Sequence, residues 1–195
     1  MCNTLKLKEI VICNILIPSL KRLYQIDYKN IEDGVSERNI CARLAHHMEN
    51  IMREYDESNS PVFSEYYVDV EYNRMYGKNK KNYMTPNHEC KYMYADLLIQ
   101  SRGPERNYLA AELKWKDNPQ DVAANIDRLK SLVSSRSANE ERCCVRDTLI
   151  GAFIQFSKND VNIMLFEDVN GKGEQIGEIN LLYDGRELIL QRLNL

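Results

Sequence analysis

Asp96, Glu112 and Lys114 stand in the stretches Ala95-Asp96-Leu97-Leu98-Ile99 and Leu109-Ala110-Ala111-Glu112-Leu113-Lys114-Trp115. Both stretches are apolar and strand-like in composition, yet each carries an acid where a hydrophobe would ordinarily stand. The second adds a lysine two positions on. Charge inside an apolar run is costly unless it is partnered. Side chains alternate along a strand, so Glu112 and Lys114 share one face while Leu109, Ala111, Leu113 and Trp115 share the other. If the Asp96 strand turns back on the Glu112 strand through Ser101-Arg102-Gly103-Pro104-Glu105-Arg106-Asn107, the two carboxylates converge on one hard divalent cation. Oxygen ligands of this kind suit Mg²⁺, which usually keeps several waters and works beside phosphate groups. The Lys114 side chain then stands where its ammonium can orient, or its neutral amine deprotonate, an attacking water.

These residues need elements to position them. Gly34 to Tyr55 reads as one helix, with Ile40, Leu44, Met48, Ile51 and Tyr55 at helical spacing as its buried stripe. Glu37 lies on the same stripe. It either caps the first turn, where the helix dipole favours negative charge, or reaches inward to a site. Tyr66 to Arg74 alternates Val68, Val70 and Tyr72 against Asp69, Glu71 and Asn73, the pattern of a strand with one polar face. After Trp115, Asn118 as cap and Pro119 at the first helical position announce a helix running to about Ser134, with Val122, Ile126, Leu129 and Val133 inward. Thr148 to Phe156 reads as a buried strand and Val161 to Phe166 as its neighbour. The order is helix, three strands, helix, strand, an α/β pattern.

An Asp, a hairpin and then Glu-x-Lys, here with 15 residues between Asp96 and Glu112, resembles the PD-(D/E)xK nuclease superfamily. Ala95 stands where that motif has its first proline, a residue that ligates nothing. The resemblance implies a restriction-endonuclease-like αβββαβ core over residues 34–168, with a mixed central sheet flanked by helices. Residues 1–33 would be an accessory helical segment and 169–195 a C-terminal β-hairpin extension of the same single domain. It also implies Mg²⁺ held by Asp96, Glu112 and the backbone carbonyl of Leu113, with Mn²⁺ able to substitute. Lys114 would position water, and Glu37 would match the glutamate that members often carry on the helix before the sheet. Glu71-Tyr72-Asn73-Arg74 is similar to a run preceding the Asp strand in uncharacterised prokaryotic members, which makes Glu71 either a support of the site or part of a solvated strand face. The partner implied is nucleic acid, DNA by the family's habit, and the reaction is phosphodiester hydrolysis. A nuclease fold kept as an inactive binding module for nucleic acid or protein, and a phosphohydrolase acting on small nucleotides, are the alternatives.

Composition narrows the field further. The chain of 195 residues carries a formal net charge of −3, which argues against a protein that coats nucleic acid nonspecifically, because such affinity comes from many phosphate contacts. One basic cluster stands out. Arg74, Lys78, Lys80 and Lys81 are interleaved with Tyr72, Tyr76 and Tyr83 just before the Asp96 strand, a composition that can follow a phosphate backbone and stack bases. The six cysteines form no C-x₂-C pair, so they read as reduced thiols and not as a zinc site or disulfide framework. His46, His47 and His88 form no convergent pattern. No Gly-rich phosphate loop is present, which sets aside kinases and NTPases. No repeat or linker divides the chain. Leu5 to Tyr24 reads as an accessory helix; its apolar stretch is broken by Pro18 and is too short and charged to span a membrane, and it lacks a secretory cleavage pattern, so the expected location is the cytoplasm.

Overall fold

A mixed seven-stranded sheet separates two helical layers. The computed structural model describes residues 4–71, 74–75, 79–80, 82–84, 90–92, 94–101, 105–135 and 148–194. In chain order the principal elements are α1 (Thr4–Glu9), a π-helical turn region (Ile10–Leu16), α2 (Ile17–Ile26), α3 (Tyr28–Glu32), α4 (Glu37–Ser58), β1 (Tyr67–Val70), β2 (Leu97–Gln100) and β3 (Asn107–Trp115). There follow α5 (Val122–Val133), β4 (Thr148–Phe156), β5 (Asp160–Val169), β6 (Lys172–Tyr183) and β7 (Leu188–Asn194). The strands lie side by side in that order, with β3 and β4 parallel and the other neighbours antiparallel. A parallel pair needs a crossover, and α5 lies on it. Between β1 and β2, two short ribbons pair Arg74–Met75 with Asn79–Lys80 and Asn82–Met84 with Cys90–Tyr92.

Alternation along β3 sorts its side chains as the sequence predicts. Leu109, Ala111 and Leu113 enter the larger core with α4 and the N-terminal helices, whereas Ala110 enters the smaller core beneath α5. Ile40, Leu44 and Met48 of α4 are fully buried in the larger core, and truncating one of them to alanine removes about 2–5 kcal/mol. Beneath α5 the fit is close. A methyl group added at Gly151 of β4 would meet Val133 Cγ1 at 3.3 Å, and one added at Gly173 of β6 would fall 2.1 Å from the Lys130 carbonyl oxygen. Only glycine lets β6 pass under the helix at position 173, whereas a side chain at position 151 would require Val133 to give way.

One expectation, the start of α5, is corrected. Pro18 breaks the apolar run of the N-terminal segment without interrupting the helix. It sits in the first turn of α2, where a proline ring is tolerated, and the widened turns before it shift the pairing so that the Ile17 N–H donates to the Ile12 carbonyl. The segment is well packed: Val11, Ile15, Leu16, Leu20, Leu23 and Tyr24 are buried, and the Tyr24 hydroxyl donates to the Ser157 carbonyl at 2.5 Å. The Asn118-Pro119 pair does not start α5. Asn118 N–H donates to the Trp115 carbonyl and its side-chain oxygen accepts from Gln120 N–H, forming a turn, and the helix begins at Val122 after Asp121. The last strands, β6 and β7, continue the central sheet, with β6 paired along β5 through the Asn170-Gly171 turn. No helix among the described residues is long and apolar enough to cross a membrane.

Candidate active site

Register brings the acids together. β1 pairs Val70 with Leu97 and β2 pairs Leu97 with Ala111, so Asp96, just before β2, stands beside Glu112 of β3, with Glu71, just after β1, on its other side. Residues opposite one another on antiparallel strands project to the same face. The first ladder is extended by the Glu71 N–H, which donates to the Asp96 carbonyl at 3.2 Å. On the second, the backbone of β2 has turned away, and the Asp96 carboxylate accepts the Leu113 N–H at 2.8 Å. In extended backbone a residue's N–H and C=O leave toward the same neighbour, so the Leu113 carbonyl is also directed at the Asp96 side of β3.

Glu112 is 1% exposed. One of its oxygens accepts from Arg128 Nη2 at 3.0 Å, and the other, Oε1, is buried without a hydrogen-bond partner among the described residues. Burial, reinforced by the nearby Asp96 carboxylate, holds the Glu112 carboxyl well above its ordinary pKa, with Arg128 and Lys114 opposing. Asp96 is also raised, again chiefly by burial, and the Leu113 N–H and the Arg128 charge offset part of the effect.

Glu37 reaches inward. The cap of α4 is Ser36, whose hydroxyl accepts from the Asn39 N–H at 3.3 Å. Glu37 accepts from Lys114 Nζ at 3.2 Å, from the Trp115 N–H at 3.1 Å and from Asn118 Nδ2 at 3.5 Å. The first turn of α4 is thereby fastened to the end of β3, and Lys114, largely buried, is fixed beside the acids. The turn that replaces the expected helix start supplies Asn118 to this network.

Glu37, Asp96, Glu112, Leu113, Lys114, Asp121, Asn125 and Arg128 line an open cleft of about 370 Å³. Five of these residues were legible from the strand and helix patterns. Asp121, Asn125 and Arg128 were not, because they belong to α5 and its entry, where the apolar stripe drew attention instead. Their signal was there: Asn125 and Arg128 are spaced by three and flank the inward Leu129. Asp121 adopts a left-handed backbone (φ 62°), as does Glu71 (φ 51°). Such conformations are strained for residues other than glycine and cluster at functional sites. Cys41, one turn after Glu37, is a buried free thiol whose pKa is raised first by burial and then by Asp96, Glu112, Glu37 and Glu71 together.

Other expected residues fall elsewhere. The Glu71 side chain pairs with Arg38 at 3.4 Å and does not line the cleft, so Glu71 touches the site through its backbone. Arg74 and Lys80 are register partners in a short ribbon, while Lys78, Lys81 and His88 lie outside the described residues. His47 is buried and pairs with Asp27 at 2.6 Å, and His46 contacts Asn50 on the surface. Among the described residues no three His, Cys, Asp or Glu side chains gather into a metal-binding group. Any hard cation here would rest on two carboxylates, with backbone and water completing its shell, the manner in which Mg²⁺ is usually held. The partnerless oxygen of Glu112 and the charge balance fit such an ion, because among the described residues lining the cleft four carboxylates, Glu37, Asp96, Glu112 and Asp121, stand with two cations, Lys114 and Arg128. The chain matches no protein-family model, no curated protein and no solved structure.

Proposed function

We propose that this chain is a divalent-metal-dependent nuclease of the PD-(D/E)xK kind, hydrolysing phosphodiester bonds of nucleic acid, with DNA as the substrate. The order α4, β1, β2, β3, α5, β4 in a mixed sheet supports a restriction-endonuclease-like core. The observation that carries the reading is the convergence of Glu37, Asp96, Glu112 and Lys114, from one helix and two strands, on a single cleft where a buried carboxylate oxygen has no partner.

Asp96, Glu112 and the Leu113 carbonyl would hold Mg²⁺, which supplies positive charge against the phosphoryl oxygens and lowers the pKa of water. Asp96 is anchored for this by the Leu113 N–H, which leaves its other oxygen free of that bond. Lys114 keeps two ammonium protons beyond the one directed at Glu37, enough to orient an attacking water toward phosphorus. Glu37 fixes the ammonium against rotation by holding both Lys114 and the neighbouring Trp115 N–H. In the step itself, the water oxygen bonds to phosphorus as it gives up a proton to solvent, the ester P–O bond breaks, and the departing oxygen takes up a proton from solvent.

Incubation of the purified chain with Mg²⁺ or Mn²⁺ and, separately, single-stranded DNA, duplex DNA, RNA and free nucleotides tests the proposal. Cleavage of a polynucleotide that is abolished by Asp96→Asn is expected. The pairing of Arg128 with Glu112 and of Lys114 with Glu37 favours one second reading, a binding module whose acids are neutralised internally. Tight nucleic-acid binding with no turnover under either metal would select it, and hydrolysis of nucleotides alone would point to a small-molecule phosphohydrolase.

A further inference from the structure

Arg128 is the one positive side chain of the cleft that neither the Glu-x-Lys motif nor the Glu37 network absorbs. Its Nη2 atom donates both to Glu112 and to Asn125 Oδ1. Its Nε is buried without a partner among the described residues. Asn125 is itself only 5% exposed and stands one turn earlier on α5, so the two residues form a rigid unit on the helix that roofs the cleft. A guanidinium offers five donors in a planar fork suited to carboxylate or phosphate. Here one nitrogen does most of the bonding, an end-on arrangement that leaves the fork underused.

Glu112 is in the same condition. Its carboxylate meets Arg128 through a single oxygen, and the partnerless oxygen is the one that a cation would engage. A divalent ion drawn to Asp96 and Glu112 would repel the guanidinium across the shared carboxylate, since both are positive and the Glu112 carboxylate between them is buried. The side chain is 23% exposed, so it has a route toward the open mouth, where a phosphodiester bound at the metal would present its non-bridging oxygens.

We propose that Arg128 is a substrate-phosphate ligand held in reserve: it pairs with Glu112 while the cleft is empty of metal, and turns to the phosphodiester when a cation takes Glu112. This rests on the nuclease reading for the identity of the substrate, though not for the exchange at Glu112. Arg128 therefore couples metal loading to capture of the anion, so that neither the acids nor the guanidinium is left without a partner of opposite charge.

The test is Arg128→Met, with Arg128→Gln as a second variant that keeps an N–H donor should the first fail to fold. Mn²⁺ binding to the protein alone is measured by calorimetry or by loss of the free-ion electron paramagnetic resonance signal. Removal of a competing cation is expected to tighten Mn²⁺ by roughly tenfold or more, the scale of one close charge contact in a partly buried site. In the same variants, binding of a duplex oligonucleotide in Ca²⁺, relative to EDTA, should lose most of the gain that wild type shows. A decrease in Mn²⁺ affinity would make Arg128 a strut for Glu112 and overturn the proposal, as would an unchanged Ca²⁺-dependent gain in DNA binding. Failure of the nuclease reading shows separately, as wild-type protein that binds Mn²⁺ but cleaves no nucleic acid.

Discussion

Glu112→Gln isolates the charge at the centre of the cleft. In wild type the folded Glu112 carboxyl has a pKa well above its ordinary value of 4.5, first because it is buried and then because Asp96 stands beside it. Between 4.5 and the raised value the unfolded chain holds an ionised Glu112 while the folded chain keeps it protonated. The folded state then binds one more proton, so the free energy of unfolding falls as pH rises, by about 1.4 kcal/mol per pH unit for this group. Its stabilising effect is complete below 4.5 and is lost as pH rises through the folded value. Asp96, also raised, adds to the slope in the same sense. Glutamine has no proton to lose, and its amide oxygen can accept the Arg128 N–H. Denaturant unfolding between about pH 5 and pH 8 should therefore show the variant with a flatter profile and, at the upper end, a stability equal to or above wild type. Mg²⁺ should reverse the order. Occupancy at a hundred times the dissociation constant stabilises wild type by about 2.7 kcal/mol, increasingly so as pH rises and protons cease to compete, and should leave the glutamine variant unmoved. Parallel pH profiles for the two proteins, or equal stabilisation of both by Mg²⁺, would show that Glu112 is neither the titrating group nor a cation ligand.

Lys114→Met keeps the bulk of the stem and removes the amine, so a water-positioning role predicts a fall in cleavage rate of roughly 10² or more with little change in Mn²⁺ or DNA affinity; affinity losses that match the rate loss would reassign Lys114 to binding. Glu37→Gln retains an acceptor for the Trp115 N–H while loosening Lys114, and should lower metal-dependent cleavage with the melting temperature nearly unchanged. The reverse, full activity with a lowered melting temperature, would make Glu37 a purely structural clasp between α4 and β3. Gly173→Ala puts a methyl group 2.1 Å from the Lys130 backbone oxygen, and the backbone shift it forces should cost about 1–3 kcal/mol of stability. An unperturbed melting temperature there would mean that α5 is not seated as closely as described.

The strands were legible because binary alternation and apolar runs report faces directly: Thr148–Phe156 and the split of Leu109, Ala111 and Leu113 from Glu112 follow from it. The helix α4 was equally plain, since its stripe recurs over 22 residues. Where a local rule competed with packing, packing won. Pro18 breaks the apolar run, yet the helix continues through it, with Ile10 to Leu16 largely buried and their turns widened. Asn118-Pro119 has the composition of a helix start, yet the Asn118 amide is committed to Glu37 and to its own turn, which displaces the first helical residue to Val122.

The candidate site divides along the same line. Asp96, Glu112 and Lys114 interrupt apolar strands, and an interruption is visible without knowing what surrounds it. Arg128, Asn125 and Asp121 interrupt nothing, because polar residues are expected on one flank of an amphipathic helix. Their place in the site depends on which flank of α5 overhangs the end of β3, and that is fixed by the close passage of the helix over Gly151 and Gly173. The consequence is electrostatic. Sequence alone shows a cleft with an acid pair and one lysine, which a cation would neutralise. The folded chain instead places a second cation on Glu112 from the opposite layer, while burial favours the protonated forms of Glu112 and Asp96. A metal entering this cleft must displace charge already there, so its affinity depends on pH and on Arg128 as much as on the two carboxylates.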